Sequence, residues 1–248
     1  ADGHRLAALA SRNRALMNRR CFLLASIFLP LTGCLSSPGQ LAKTDIDRIA
    51  DLHRREAFAS LRRLTEKLYR RNPREWKKGG HASLEAALAQ LADPARAGLS
   101  PEAVVSGGRR GPAVLLAGLR DDYPLDRVAA FAGGLNNMIY DAFDGKPEFF
   151  VLDDLDAQKL YNAARNVEIA AWKLAHARRT QPEADLPAGM PILLSNEMTP
   201  VHNLSFEREF GRLIGSLELL SQIAADKSNR TVVKVVHNLA TAVFLPIK

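Results

Sequence analysis

Two groups of polar side chains stand inside stretches that are otherwise apolar. Asn136, Asn137, Tyr140 and Asp141 interrupt the apolar run 128–143, while Tyr161, Arg165, Glu168, Trp172 and His176 recur at helical spacing along 157–179. Amides, phenols, a guanidinium and an indole on facing helix surfaces would make a pocket with aromatic walls and hydrogen-bonding groups. Such a pocket suits a sugar, a peptide or a lipid headgroup. Closed on one another, the same residues would form a buried polar network that fixes helix register.

A second feature is charge. The stretch 45–71 carries Arg48, Arg54, Arg55, Arg62, Arg63, Lys67, Arg70 and Arg71, followed by Arg74, Lys77 and Lys78. Asp51 and Arg55, Arg62 and Glu66, and Glu66 and Arg70 stand four apart, so much of this charge reads as a solvated, ion-paired helix face. The excess gathers at 67–78, where Glu75 is the one acid. Arg70, Arg71 and Arg74 are therefore candidates for contact with lipid phosphates or an acidic partner.

Signatures of catalysis are missing. No serine stands in G-x-S-x-G or is followed three residues later by lysine, and Gly107-Gly108-Arg109-Arg110-Gly111 lacks the Lys-Ser/Thr end of a phosphate loop. The six histidines give no metal pattern, because His53-x-x-Glu56 has no second histidine one turn away. His53 falls on an apolar stripe and reads as a hydrogen-bonded core histidine. Asp121/Asp122 and Asp153/Asp154 precede predicted helices, where capping is the default role of a carboxylate. No catalytic residue, metal ligand or cofactor is assigned.

What positions the chain is read from its first part. Met17-Asn18-Arg19-Arg20 leads into the apolar run 21–31, and Leu31-Thr32-Gly33-Cys34 follows. A basic flank, a short apolar stretch and small residues before a break make a secretory signal. Residues 21–33 would cover about 20 Å as a helix, short of the roughly 30 Å of hydrocarbon that a span must cross. Leu31-Thr32-Gly33-Cys34 resembles the lipobox of bacterial lipoproteins. The resemblance implies cleavage before Cys34, acylation of Cys34 and of the new amino terminus, and, with Leu35 next in line, sorting to the outer membrane. Three acyl chains would make that attachment effectively permanent. Asn18-Arg19-Arg20-Cys21-Phe22-Leu23 also resembles the twin-arginine export signal, which implies export of a folded chain.

The expected organisation is then residues 1–16 as an over-extended start, 17–33 as signal peptide, 34–43 as lipidated tether and 44–248 as a helical periplasmic domain. Removing 1–33 leaves 29 Lys and Arg against 26 Asp and Glu, so the full-chain charge of +7 falls to +3. A nucleic-acid partner loses its electrostatic argument. Cys21 leaves with the leader and Cys34 is acylated, so neither disulfide nor thiolate metal site is expected.

Periodicity fills in the domain. Thr44 caps a helix whose stripe is Ile46, Ala50, His53, Ala57, Leu61, Leu64 and Leu68, and Asn72-Pro73 stops it. Short helical segments are predicted at 73–78, at 83–91 and after Ser100, and an apolar stretch at 113–119. A helix opened by Pro124 runs to Phe143, and one begun at Asp153 to about Arg179 is read as the longest. Another runs over 205–227 with Phe206, Phe210, Leu213, Leu217, Leu220 and Ala224 inward. Residues 148–152 and 191–195 read as short strands, and 231–244 as a further helix capped by Asn229. Gly211 and Gly215 share one helix side, a spacing that predicts close helix packing. The sum is a mainly α fold, one domain of about six helices with room for a small two-stranded patch.

These readings point to an outer-membrane-anchored periplasmic lipoprotein that binds an envelope protein partner as a non-enzymatic adaptor. A ligand-binding module and an envelope hydrolase with a fold-assembled acid/base site stand beside it as alternatives.

Overall fold

Thr44 opens the first helix with a capping box: its side chain accepts the Asp47 N–H, and the Asp47 carboxylate accepts the Thr44 N–H. The computed structural model describes residues 43–91, 110–151, 153–182, 186–198 and 200–247. Seven helices are found among them: α1 (Asp45–Arg71), α2 (Pro73–Lys78), α3 (Leu84–Leu91), α4 (Pro112–Gly118), α5 (Arg127–Ala142), α6 (Ala157–His176) and α7 (Ser205–Ser228). Thr44–Lys248 is one compact unit. The fold is thus mainly α in a single helical domain. Cys34, the leader and the segment begun by Ser100 lie outside the described residues.

The centre of the bundle is α5. It is buried on every side, 14 of its 16 residues included, with α1, α4 and α6 packed around it. Phe131, Leu135 and Ile139 join Leu64 and Leu68 of α1 and Leu160, Val167 and Leu174 of α6 in one core. The long pair is α6 and α7, and α7 also lies along α1 through Phe206, Phe210, Leu213 and Leu217. Despite its apolar character α5 is short, and among the described residues no helix is long and apolar enough to cross a membrane.

Close packing falls on glycines other than those the spacing favoured. A methyl group at Gly134 would sit 2.7 Å from the Gly111 carbonyl and from Leu115 Cβ, and one at Gly118 would sit 2.6 Å from Ala130 Cβ. These two glycines let α4 and α5 touch backbone to backbone. At Gly211 and Gly215 an added methyl meets nothing within 4 Å, so that pair faces open space.

Other expectations are corrected by local chemistry. Helix α5 begins at Arg127, not at Pro124, because Asp126 is the cap and accepts from Ala129 N–H at 2.9 Å. Asp156 caps α6 in the same way, through the N–H groups of Gln158 and Lys159. At 20 residues α6 is shorter than α1 at 27 and α7 at 24, and it ends at His176 where Ala177 turns extended. Asp121, Asp122 and Asp153 are tie points instead of caps: Asp121 accepts from Thr180, Asp122 from Arg120, and Asp153 from Lys146 and the Phe150 N–H.

No strand forms at 148–152 or 191–195 among the described residues. Asp153 closes a tight turn on Phe150 instead, and residues 191–195 make a single bridge, Arg178 to Pro191. The largest difference is at 231–244, which is not helical. Asn229 takes the left-handed conformation at φ 52° and ends α7, so it closes the preceding helix and does not open another. Beyond it the β-branched run lies as a strap against α6.

Candidate functional site

The strap is held by side chains of α6 that imitate a neighbouring strand. Gln158 accepts the Val233 N–H at 2.8 Å and donates to the Val233 carbonyl at 3.1 Å. Tyr161 Oη accepts from Val235 N–H at 3.0 Å and lies 3.3 Å from its carbonyl oxygen. The chain then turns near residues 239–241 and returns, where Asn166 accepts the Leu245 N–H at 2.6 Å and donates to the Leu245 carbonyl at 2.8 Å. Asn162 donates to the Pro246 carbonyl. Gln158, Asn162 and Asn166 are thus a ladder of amides one helical turn apart, none of them among the candidate residues named from the sequence. Their four-residue spacing was the available signal.

The two polar faces expected to meet go to separate places. On α5, Asn136 donates to the Leu91 carbonyl at 3.0 Å and Asn137 accepts from Gly111 N–H at 3.3 Å. Tyr140 lies against Gly145, whose positive φ of 68° turns the chain beneath the ring. Asp141 is half-buried, and that burial pushes its carboxyl above the ordinary range against the pull of Arg110 and Lys159. On α6, Arg165 is shared by Glu168, at 2.6 Å, and Glu218 of α7. Trp172 stacks on His176 with centroids 4.1 Å apart.

These residues line different recesses. Asn136 closes an apolar one of about 240 Å³ with Phe58, Leu61, Thr65 and Leu88. Glu168, Trp172 and His176 border a groove of about 310 Å³ between α6 and α7 into which Leu239 of the strap reaches. Tyr161 and Arg165 lie in a trough of about 530 Å³ between the strap and α7.

The basic end of α1 is partly spent on the fold. Arg70 bonds Glu66, the one expected pair that forms as drawn, and Arg71 reaches Glu197 at 2.9 Å. Asp51 instead accepts the Phe149 N–H. Arg71 and Arg74 border a recess of about 240 Å³ with Arg179, Met190 and Leu194. Beside it Glu75 accepts the Arg127 N–H, Tyr69 donates to Asp126 at 2.8 Å, and the buried Arg127 guanidinium is held by the carbonyls of Gly118, Arg120 and Asp121. These buried ionisable groups are committed to joining α1, α2 and α5.

His53 is hydrogen-bonded as read, its Nδ1 within 3.1 Å of both the carbonyl and the hydroxyl of Ser216 on α7. Among the described residues no group of three or more His, Asp or Glu side chains is placed to hold a metal ion. Compared with family models, curated proteins and solved structures, the chain matches none.

Proposed function

We propose that this chain is a lipoprotein anchored through Cys34 at the periplasmic face of the outer membrane, a non-enzymatic adaptor that presents its surface to an envelope protein. The anchor rests on Leu31-Thr32-Gly33-Cys34 and the basic, apolar leader before it. The adaptor role rests on one observation. Asn136 and Asn137 of α5 and Asn162, Arg165 and Asn166 of α6 bond to groups within the fold, while valines of the strap stand in solvent, Val233 at 69%, Val236 at 99% and Val243 at 80% exposure. Large apolar side chains exposed along one segment offer a contact surface to a partner.

The ligand-binding alternative draws on the trough beside Tyr161 and Arg165, whose 530 Å³ lies in the range of ligand sites. Fractionation and crosslinking test the adaptor reading. Native protein is expected in the outer-membrane fraction with one stoichiometric protein partner, and Cys34→Ala in the soluble or unprocessed fraction. Membrane attachment of Cys34→Ala would overturn the anchor. Recovery of glycan or lipid in place of protein would overturn the adaptor.

A further inference from the structure

The two-residue spacing of the clamps decides where the strap's other backbone groups point. Val233 and Val235 both turn N–H and C=O toward α6. In an extended chain successive residues address opposite edges, so those of Val232, Lys234 and Val236 face away from α6. Among the described residues, none of these three makes a backbone hydrogen bond. Beside this part of the strap lies the trough, bordered by Arg230, Val232 and Lys234, by Tyr161 and Arg165 of α6 and by Gln222, Ala225 and Asp226 of α7. Five of the six residues 231–236 are β-branched, none is proline, and Lys234 is the one charge among them. This is an extended segment with one unpaired edge, free of proline and guarded by a single lysine.

We propose that this edge binds an extended segment of another protein by strand addition, the added strand lying in the trough and carrying a carboxylate opposite Lys234. The inference rests on the adaptor reading and names the chemistry of its partner. Main-chain bonds to Val232, Lys234 and Val236 supply affinity, as in other strand-addition sites, and side chains at alternate positions supply selectivity. Charge sets the preference: Glu218 is already held by Arg165, and of the remaining charges on the trough Arg230 and Lys234 are positive against Asp226 alone, which leaves a positive excess. A second copy paired about Lys234 would set lysine against lysine, which destabilises a cross-strand pair. Because Gln158 and Tyr161 already hold the strap extended, a partner need not order it, and this lowers the entropic cost of binding.

The test uses the full 248-residue chain and three acetylated octapeptides of alternating Val and Thr. One has a central Glu, one a central Lys, and one has Pro at alternate positions. Amide hydrogen exchange is followed by NMR. The Glu peptide is expected to slow exchange at Lys234 and Val236 by tenfold or more, with Val233 and Val235 unchanged, and to bind at least tenfold more tightly than the Lys peptide. The Pro peptide should not bind. Lys234→Glu, an exposed change that leaves the clamps in place, should reverse the order of the Glu and Lys peptides. Absence of binding at millimolar peptide, slowing elsewhere than this edge, or self-association through residues 231–237 would each overturn the proposal. An envelope partner captured equally by native chain and Lys234→Glu would leave the adaptor reading standing and remove this edge from it.

Discussion

Gln158 and Val233, 75 residues apart, pair through both ends of an amide: the side chain of one accepts and donates where a neighbouring strand's peptide group would. The pair substitutes for a β-ladder in a domain built of helices. It also explains why a β-branched run at 231–236 stays extended, since side chains stiff at χ1 lose more in a helix than on a held, extended chain.

Truncating this clamp should loosen the strap. Gln158→Ala removes both partners of Val233 and is expected to lower stability by about 1–2 kcal/mol, with faster amide exchange at Val233. Asn166→Ala should cost more, about 2–3 kcal/mol, because the deleted amide is fully buried. Urea denaturation and hydrogen exchange read both. Unchanged exchange at Val233 in Gln158→Ala would mean that the clamp does not hold the strap.

The charge cluster joining α1 to α7 gives a pH dependence with a definite sign. Arg63 bonds Glu56 at 2.7 Å and Glu209 at 3.1 Å, and its hydrogen bond holds the Glu56 carboxyl below the usual range. A depressed folded-state value contributes stability above the unfolded value of about 4.3 and loses it as pH falls through the folded value. Arg63→Gln should therefore be less stable than the native chain at pH 7, and the gap should narrow as pH drops below about 4. A gap independent of pH would contradict the assignment.

Two glycines should respond in opposite directions. Gly134→Ala drives a methyl into Gly111 and Leu115 and is expected to destabilise by about 1–3 kcal/mol. Gly211→Ala meets open space in a helix interior and should stabilise by about 0.5–1 kcal/mol. Thermal melts of the two variants are the check, and a loss at Gly211 would show that its face is packed against something.

How far the residues disclose the fold depends on how local each cause is. Thr44 with Asp47, the stripe from Ala50 to Leu68, and the row from Phe206 to Ala224 are set within one helix, and their periodicity displays them. Gly211 and Gly215 share a side as their spacing requires, but spacing does not say whether that side meets a neighbour. Arg127 is charged yet almost wholly buried, because three carbonyls from residues 118–121 receive it. The strap is the extreme case: its partners at 158–166 come from another element, and an isolated β-branched run with a capping asparagine before it also fits a helix. At the candidate site Tyr161 was visible as one polar residue of a stripe. Its role emerged only with Val235 placed against it.

The most direct measurement is site-specific photocrosslinking in intact cells from a reactive side chain at Val236, the most exposed valine of the strap. One discrete protein adduct is expected, lost when Lys234→Glu is added to the same chain. Lipid-only adducts, or a protein adduct indifferent to Lys234, would contradict docking of an envelope partner on this edge.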